Sequence, residues 1–155
     1  RIDDGTRLLL DHLQPEGRRA LDLGCGNGVI AAFLARHGLE TTATDVSWSA
    51  VTATRATAEA NGLDIEVRWA DGLSDFPAHS FDVIAANPPF HQGHAKESGP
   101  TLRMFDQIAR VLRPGGQFWC VFNSHLPWRR ELAERVGRTR VVAQDRSYQL
   151  TFTVP

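Results

Sequence analysis

The sequence predicts an α/β fold: a seven-stranded, mostly parallel sheet with helices on both faces and an antiparallel hairpin strand at the C-terminal end. The prediction rests first on short apolar runs that alternate with segments of helical periodicity along most of the chain. That alternation implies right-handed crossovers between parallel strands. It rests also on the residues at the ends of the first three strands, namely Gly24-Cys25-Gly26-Asn27-Gly28, then Asp45, then Asp71. Ligands of doubly wound sheets bind outside the carboxyl ends of the strands, so these three features are expected to converge.

The first element, residues 6–14 with Leu8, Leu9, Leu10 and Leu13, reads as a short amphipathic helix ended by Pro15-Glu16-Gly17. Residues 19–25 give the first strand, Ala20-Leu21-Asp22-Leu23, which runs straight into the glycine stretch. Residues 29–36 place Val29, Ile30, Phe33 and Leu34 on one helical face, closed by His37-Gly38. A β-rich run over 40–46 ends at Asp45, and an alanine-rich helix over 47–61 has Ser47 as N-cap and Asn61-Gly62 as stop. Residues 65–70 form the third strand and 81–86 the fourth, whose Val83-Ile84-Ala85-Ala86 suits a strand buried on both faces. A helix over 100–112 is broken by Arg113-Pro114-Gly115-Gly116; a strand over 117–122, a helix over 128–136 and a hairpin of 139–144 with 148–154 complete the chain. The hairpin requires one antiparallel strand. Long loops are expected only at 72–80 and 91–99, both at strand ends.

With 155 residues, no internal repeat, no low-complexity tract and no linker, 1–155 reads as a single domain. Because the chain opens on Arg1, it is expected to be part of a longer one. No run approaches the roughly 18 apolar residues of a membrane span. Cys25 and Cys120 make no disulfide framework, which fits a reducing, cytoplasmic setting. A net charge of −1, from 17 basic and 18 acidic residues, gives no general attraction to polyanions. Any nucleic-acid affinity must therefore come from a local patch or an additional domain.

The stretch Phe81 to Phe90 is where chemistry is expected. Neither Pro88 nor Pro89 can donate to a sheet ladder, so the strand stops with Asn87 at its carboxyl end. That leaves two acceptors, the Asn87 side-chain oxygen and the Pro88 carbonyl, on a stiff support with the Phe90 ring just beyond. Such a pair suits the two N–H groups of a planar amine, and the ring suits its heterocycle. Asn-Pro-Pro is also ordinary loop punctuation, and context must decide.

The glycines Gly24, Gly26 and Gly28 permit a tight turn and close approach of a ligand to the backbone. A dinucleotide fingerprint places its third glycine one residue later, so the pattern favours a nucleoside with an amino-acid tail over a pyrophosphate. Asp45 is placed to accept from ribose hydroxyls. Asp71 either takes an amino group of the base or is simply an exposed loop acid.

Together, Leu21 to Gly28, Asp45, Asp71 and Asn87-Pro88-Pro89-Phe90 resemble a class I S-adenosylmethionine-dependent methyltransferase over nearly the whole chain. The residues from Asn87 to Ala95 are similar to the ribosomal RNA guanine-N2 methyltransferases, as are Asp3 to Arg7 and Asn123 to Leu126. The resemblance implies a Rossmann-like sheet, S-adenosylmethionine as cofactor and S-adenosylhomocysteine as product, and ribosomal RNA or a ribosomal subunit as partner. It also implies a further amino-terminal domain. Asp22, Gly24, Cys25, Gly26, Gly28, Asp45, Val46, Asp71, Gly72 and Asn87 are the cofactor-binding positions it implies; Asn87, Pro88 and Phe90 are catalytic, and Pro89, Phe90, His91 and His125 meet the substrate. Phe90 stands where protein glutamine methyltransferases usually have tyrosine, and Asp45 stands where many relatives have glutamate.

Two rivals remain. One keeps the chemistry and moves it to a protein glutamine N5 or a DNA adenine N6; the other is a non-catalytic cofactor-fold module that assists RNA binding. His91 and His94 form His-x-x-His, but no further ligands at zinc spacing accompany them, so no metal is expected.

Overall fold

A computed structural model describes residues 2–88 and 95–155. In chain order the elements are α1 (Asp4–His12), β1 (Arg19–Leu23), α2 (Val29–Arg36), β2 (Glu40–Asp45), α3 (Trp48–Ala60), β3 (Ile65–Trp69), β4 (Phe81–Ala86), α4 (Ala95–Val111), β5 (Leu112–Asn123), α5 (Trp128–Arg135), β6 (Arg138–Gln144) and β7 (Tyr148–Val154). The strands form one sheet in the order β3-β2-β1-β4-β5-β7-β6. The pairs from β3 across to β5 are parallel, and β7 alone runs against its neighbours β5 and β6.

Burial explains the composition of each strand. The central strands β1 and β4 are covered on both faces, so Leu21, Val83, Ile84, Ala85 and Ala86 are all buried and apolar. Side chains alternate across the sheet. Ile84, Phe118 and Phe122 point into one core, with Phe105, Ile108 and Leu132. Val83, Ala85, Trp119 and Val121 point into the other, with Leu9, Leu13, Ile30 and Leu34. β3, at the edge, has no fully buried residue and carries Glu66 and Arg68.

The expected strand and helix order holds, with two differences. Helix α4 begins at Ala95, inside the expected loop, and contains Pro100. A proline there gives up its bond to the carbonyl four residues back and its ring crowds that carbonyl, a local cost in the second turn of a 17-residue helix. Second, Arg113-Pro114-Gly115-Gly116 does not separate helix from strand. Leu112 already pairs with Phe81, the ladder resumes at Val83 with Gln117, and the intervening residues bulge out opposite Asp82, with Gly115 at φ 80°.

Asp82 ties down the end of the sheet away from the strands' carboxyl ends. Its Oδ2 accepts the N–H groups of Arg18 (2.8 Å) and Arg19 (2.9 Å), and Arg113 donates to Oδ1 (3.0 Å). Burial works to raise its pKa, but the two backbone donors and the guanidinium outweigh it and hold the carboxyl below its ordinary 3.8. Gly17 beside it has φ 120°, and a Cβ there would lie 2.4 Å from the Asp82 Cβ. Replacing Asp82 by Ala is expected to lower unfolding free energy by about 1–3 kcal/mol at pH 7, through loss of the hydrogen bonds that its charged carboxylate accepts. The depressed pKa makes this contribution complete above pH 4 and lost as pH falls below it, so urea unfolding at pH 7 and pH 3 should show the variant's deficit shrinking in acid.

Candidate active site

The β1–β4 register ends with Leu23 opposite Ala86. Gly24 and Asn87 therefore leave the sheet side by side, on strands roughly 4.8 Å apart. A cleft of about 230 Å³ opens at this edge, walled by Gly24, Cys25, Gly26 and Asn27 together with Asn87, Asp3 and Thr6.

The glycine stretch is shaped by its own backbone and held from beneath. Gly24 and Gly26 have φ of 75° and 53°, and a Cβ at either would meet nothing within 4 Å. Glycine is needed there for conformation, and the space beyond stays open. Gly28, at φ 85°, is also crowded: a Cβ would stand 3.0 Å from Thr54 Cγ2. The N–H groups of Gly24 and Cys25 donate to the Thr44 carbonyl (2.9 and 2.8 Å), and that of Gly26 donates to Asp45 Oδ2 (3.1 Å). From α3, the Thr54 hydroxyl reaches the Gly26 carbonyl (3.0 Å) and the Thr57 hydroxyl donates to the Asn27 carbonyl (2.8 Å). Burial pushes the Cys25 thiol up to about 11, so it contributes shape and not a thiolate.

Asp22, expected on a ligand, is fully buried and is not among the residues walling this cleft. Its Oδ2 accepts the N–H of Ala31 (3.0 Å). The N-cap of α2 is Gly28, which has no side chain to offer, so the preceding strand supplies the cap. Oδ1 has no hydrogen-bond partner among the described residues. Burial, opposed by the Ala31 bond and reinforced by the Asp45 charge, raises the Asp22 pKa to about 7.

At the ends of β2 and β3 lies an exposed apolar shoulder: Val46, Trp48 and Trp69 are 63%, 53% and 64% exposed. Trp69 Nε1–H donates to the Val46 carbonyl (2.8 Å), and the two indoles meet edge to face at 5.1 Å. Asp71 is exposed, while Gly72, at φ 85°, backs onto Gln107, whose Oε1 accepts the Leu73 N–H at 2.7 Å. Val46, Asp45, Asp71 and Gly72 thus sit along the same sheet edge but outside the 230 Å³ cleft.

On the other wall, half-buried Asn87 donates through Nδ2 to Thr6 Oγ1 (2.9 Å) and Asp3 Oδ1 (3.1 Å). Gly5 lets α1 approach: a Cβ there would stand 3.1 Å from Tyr148 Cε1 and 3.3 Å from Asn87 Nδ2. Pro88 is buried, and His125 is exposed in the turn after β5. Pro89, Phe90, His91 and His94 lie outside the described residues. Among the described residues no His, Cys, Asp or Glu cluster is placed to hold a metal ion, and no helix is long and apolar enough to cross a membrane.

Sequence reading missed Thr54, Thr57, Tyr148 and the tryptophan pair, and saw Asp3 and Thr6 only as part of a resemblance. The one local signal was Trp69 itself, a large apolar residue at the end of an edge strand. Asp3 and Thr6 are 84 and 81 residues from Asn87, and no periodicity spans such distances.

Residues 1–151 match the family model described as the methyltransferase small domain. The chain is 44% identical to ribosomal RNA large subunit methyltransferase G of Streptomyces coelicolor, over 96% of this chain and 41% of the relative. It is 40% identical to ribosomal RNA small subunit methyltransferase C of Chromohalobacter salexigens, over 97% of this chain and 46% of the relative. The chain thus spans less than half the length of these relatives. Among solved structures, a T. thermophilus 16S rRNA N2 methyltransferase in complex with AdoMet and guanosine matches with a TM-score of 0.87 at 30% identity, over 99% of this chain and 43% of that one. A Pyrococcus furiosus methyltransferase, at 17% identity and a TM-score of 0.79 over 95% and 80% of the two chains, shares the fold.

The raised pKa of Asp22 carries a stability consequence. From pH 4 to pH 7 the folded state keeps the proton that the unfolded chain releases, so the site's contribution falls across that window and is level above it. Asp22→Asn should remove this slope, leaving the variant's unfolding free energy to gain about 2–4 kcal/mol on wild type between pH 4 and pH 7. A difference that stays constant with pH in chemical denaturation would contradict the assignment.

Proposed function

The chain belongs to the methyltransferase small domain family, and from that premise we propose that it transfers a methyl group from S-adenosylmethionine to the exocyclic N2 amine of a guanine in ribosomal RNA. The observation that carries this reading is the placement of Asn87, with its amide nitrogen engaged by two acceptors, beside a glycine turn that leaves open space above it. An amide so engaged has an acceptor to offer, which suits an amine and not a carbonyl.

The residues present fit the cofactor. The open face over Gly24 and Gly26 suits the amino-acid tail. Asp45, at the end of β2, has the chemistry to accept from ribose hydroxyls. The exposed Val46 and the acid Asp71 suit the flat base and its amino group, with Gly72 next to them. Asp22, Cys25 and Gly28 act on that site by holding the loop. When bound, the cofactor supplies an electrophilic sulfonium methyl and leaves as S-adenosylhomocysteine.

An exocyclic guanine amine is a poor nucleophile because its lone pair is conjugated with the ring. With the Asn87 oxygen and the Pro88 carbonyl accepting its two N–H groups, the lone pair turns out of conjugation, and charge developing on nitrogen meets preorganised oxygens. Positioning supplies much of the remainder, since effective molarity contributes roughly 7–11 kcal/mol in well-oriented reactions. By the resemblance, Phe90 is the residue proposed to stack on the base, and Pro89, His91 and His125 are those proposed to meet the substrate. The amine becomes acidic once methylated, so no strong base is required.

The T. thermophilus relative, whose complex holds AdoMet and guanosine, supports both ligands. The greater length of the relatives supports a further domain that adds RNA affinity, and their names support ribosomal RNA or a ribosomal subunit as partner.

Tritiated methyl transfer to ribosomal subunits, naked ribosomal RNA, release factor and DNA is the test. Label should appear in ribosomal RNA as N2-methylguanine; label in glutamine or adenine would overturn the substrate assignment. Asn87→Ala should lose about 10²-fold or more in turnover while cofactor affinity stays within a few-fold. A matching loss of cofactor binding would refute the role given to Asn87.

A further inference from the structure

An asparagine can face a ligand as acceptor or as donor, depending on which arm of its planar amide points outward, and a strand end imposes neither. Here the choice is imposed from the other end of the chain. Nδ2 of Asn87 donates to Thr6 Oγ1 at 2.9 Å and to Asp3 Oδ1 at 3.1 Å. The same Asp3 oxygen accepts the Thr6 N–H at 2.8 Å, as the N-cap of α1. A carboxylate only accepts, so a flipped Asn87 would set oxygen against the Asp3 oxygen and lose that bond. The arrangement is tied to the core: α1 buries Leu9, Leu13 seals its end, and Gly5 admits the close approach of its first turn to Asn87.

We infer that Asp3 and Thr6 are positioning residues for the methyl transfer: they lock the Asn87 amide with Oδ1 free for the substrate, so that the site selects an amino group over a carbonyl. This rests on the reading that Asn87 grips the target amine. The Asp3 carboxylate also polarises the amide toward its oxygen, which strengthens the acceptor as positive charge develops on the substrate nitrogen. Asp3 is exposed, so solvent screens this second effect and the geometric one dominates.

Three variants of the full chain separate the effects. Thr6→Val keeps shape and removes an acceptor; Thr6→Ser restores it; Asp3→Asn keeps an oxygen for both donors and removes the charge. The first readout is water exchange of the Asn87 side-chain amide protons by NMR, assigned by their loss in Asn87→Ala. The second is kcat and KM for methylation of ribosomal RNA. Slow exchange is expected in wild type and Asp3→Asn, and faster exchange in Thr6→Val. Turnover should fall about fivefold to tenfold in Thr6→Val, with cofactor KM and melting temperature nearly unchanged, and return to within about twofold in Thr6→Ser. Asp3→Asn should give a smaller fall. Wild-type kcat in Thr6→Val overturns the inference while the methyltransferase reading stands. Slow exchange lost on Thr6→Val, in a wild-type chain that does not methylate guanine, overturns that reading while the lock on Asn87 stands.

Discussion

The pairing of β1 with β4 governs the carboxyl edge of this sheet. These strands are adjacent in space but separated in sequence by two helical crossovers and the return from β3 at the edge, and their register brings the glycine turn and the Asn-Pro-Pro stop level with each other. A slip of one residue would carry Gly24 about 3.3 Å along relative to Asn87 and turn Asp22 to the opposite face. What prevents the slip is packing on both faces at once, with Ile84 and Val83 committed to opposite cores. The proposed chemistry thus borrows its precision from the apolar interior.

The glycine turn carries a conflict that Asp22 resolves. Gly28 must be glycine, for its positive φ and for Thr54 against it, yet it opens α2 and leaves that helix without a side-chain cap. Asp22 provides the missing acceptor from below, and burial there makes it a reluctant anion. Its neighbour in space, Asp45, adds a like charge while holding the Gly26 N–H. Two acids are thereby concentrated around the turn proposed to receive a cationic cofactor, one of them at the cost of its own burial.

Much of this was legible in the sequence because its signals are local. Period-2 and 3.6-period patterns located the strands and helices, Gly38 and Gly62 marked helix ends, and the glycine turn, Asp45 and Asn87 announced themselves at strand ends. The early start of α4 was hidden by Pro100, which reads as a boundary in isolation, and the bulge at 113–116 was hidden by a Pro-Gly-Gly run that reads as a break. The contacts that set the site, Asp3 and Thr6 on Asn87 and Thr54 and Thr57 on the glycine turn, join residues far apart in the chain and leave no periodic trace. Nor does composition distinguish the exposed Trp48 and Trp69 from core tryptophans such as Trp119 and Trp128; Trp69 ends the edge strand β3, and Trp48 opens α3 beside it.

The most direct measurement is a crystal structure of the chain with S-adenosylhomocysteine and guanosine bound together. The guanine N2 is expected within about 3 Å of both Asn87 Oδ1 and the Pro88 carbonyl, with the cofactor's sulfur on the opposite side of that nitrogen. A base held with its carbonyl toward Asn87, or a cofactor seated away from Gly24 and Asp45, would contradict the proposed site.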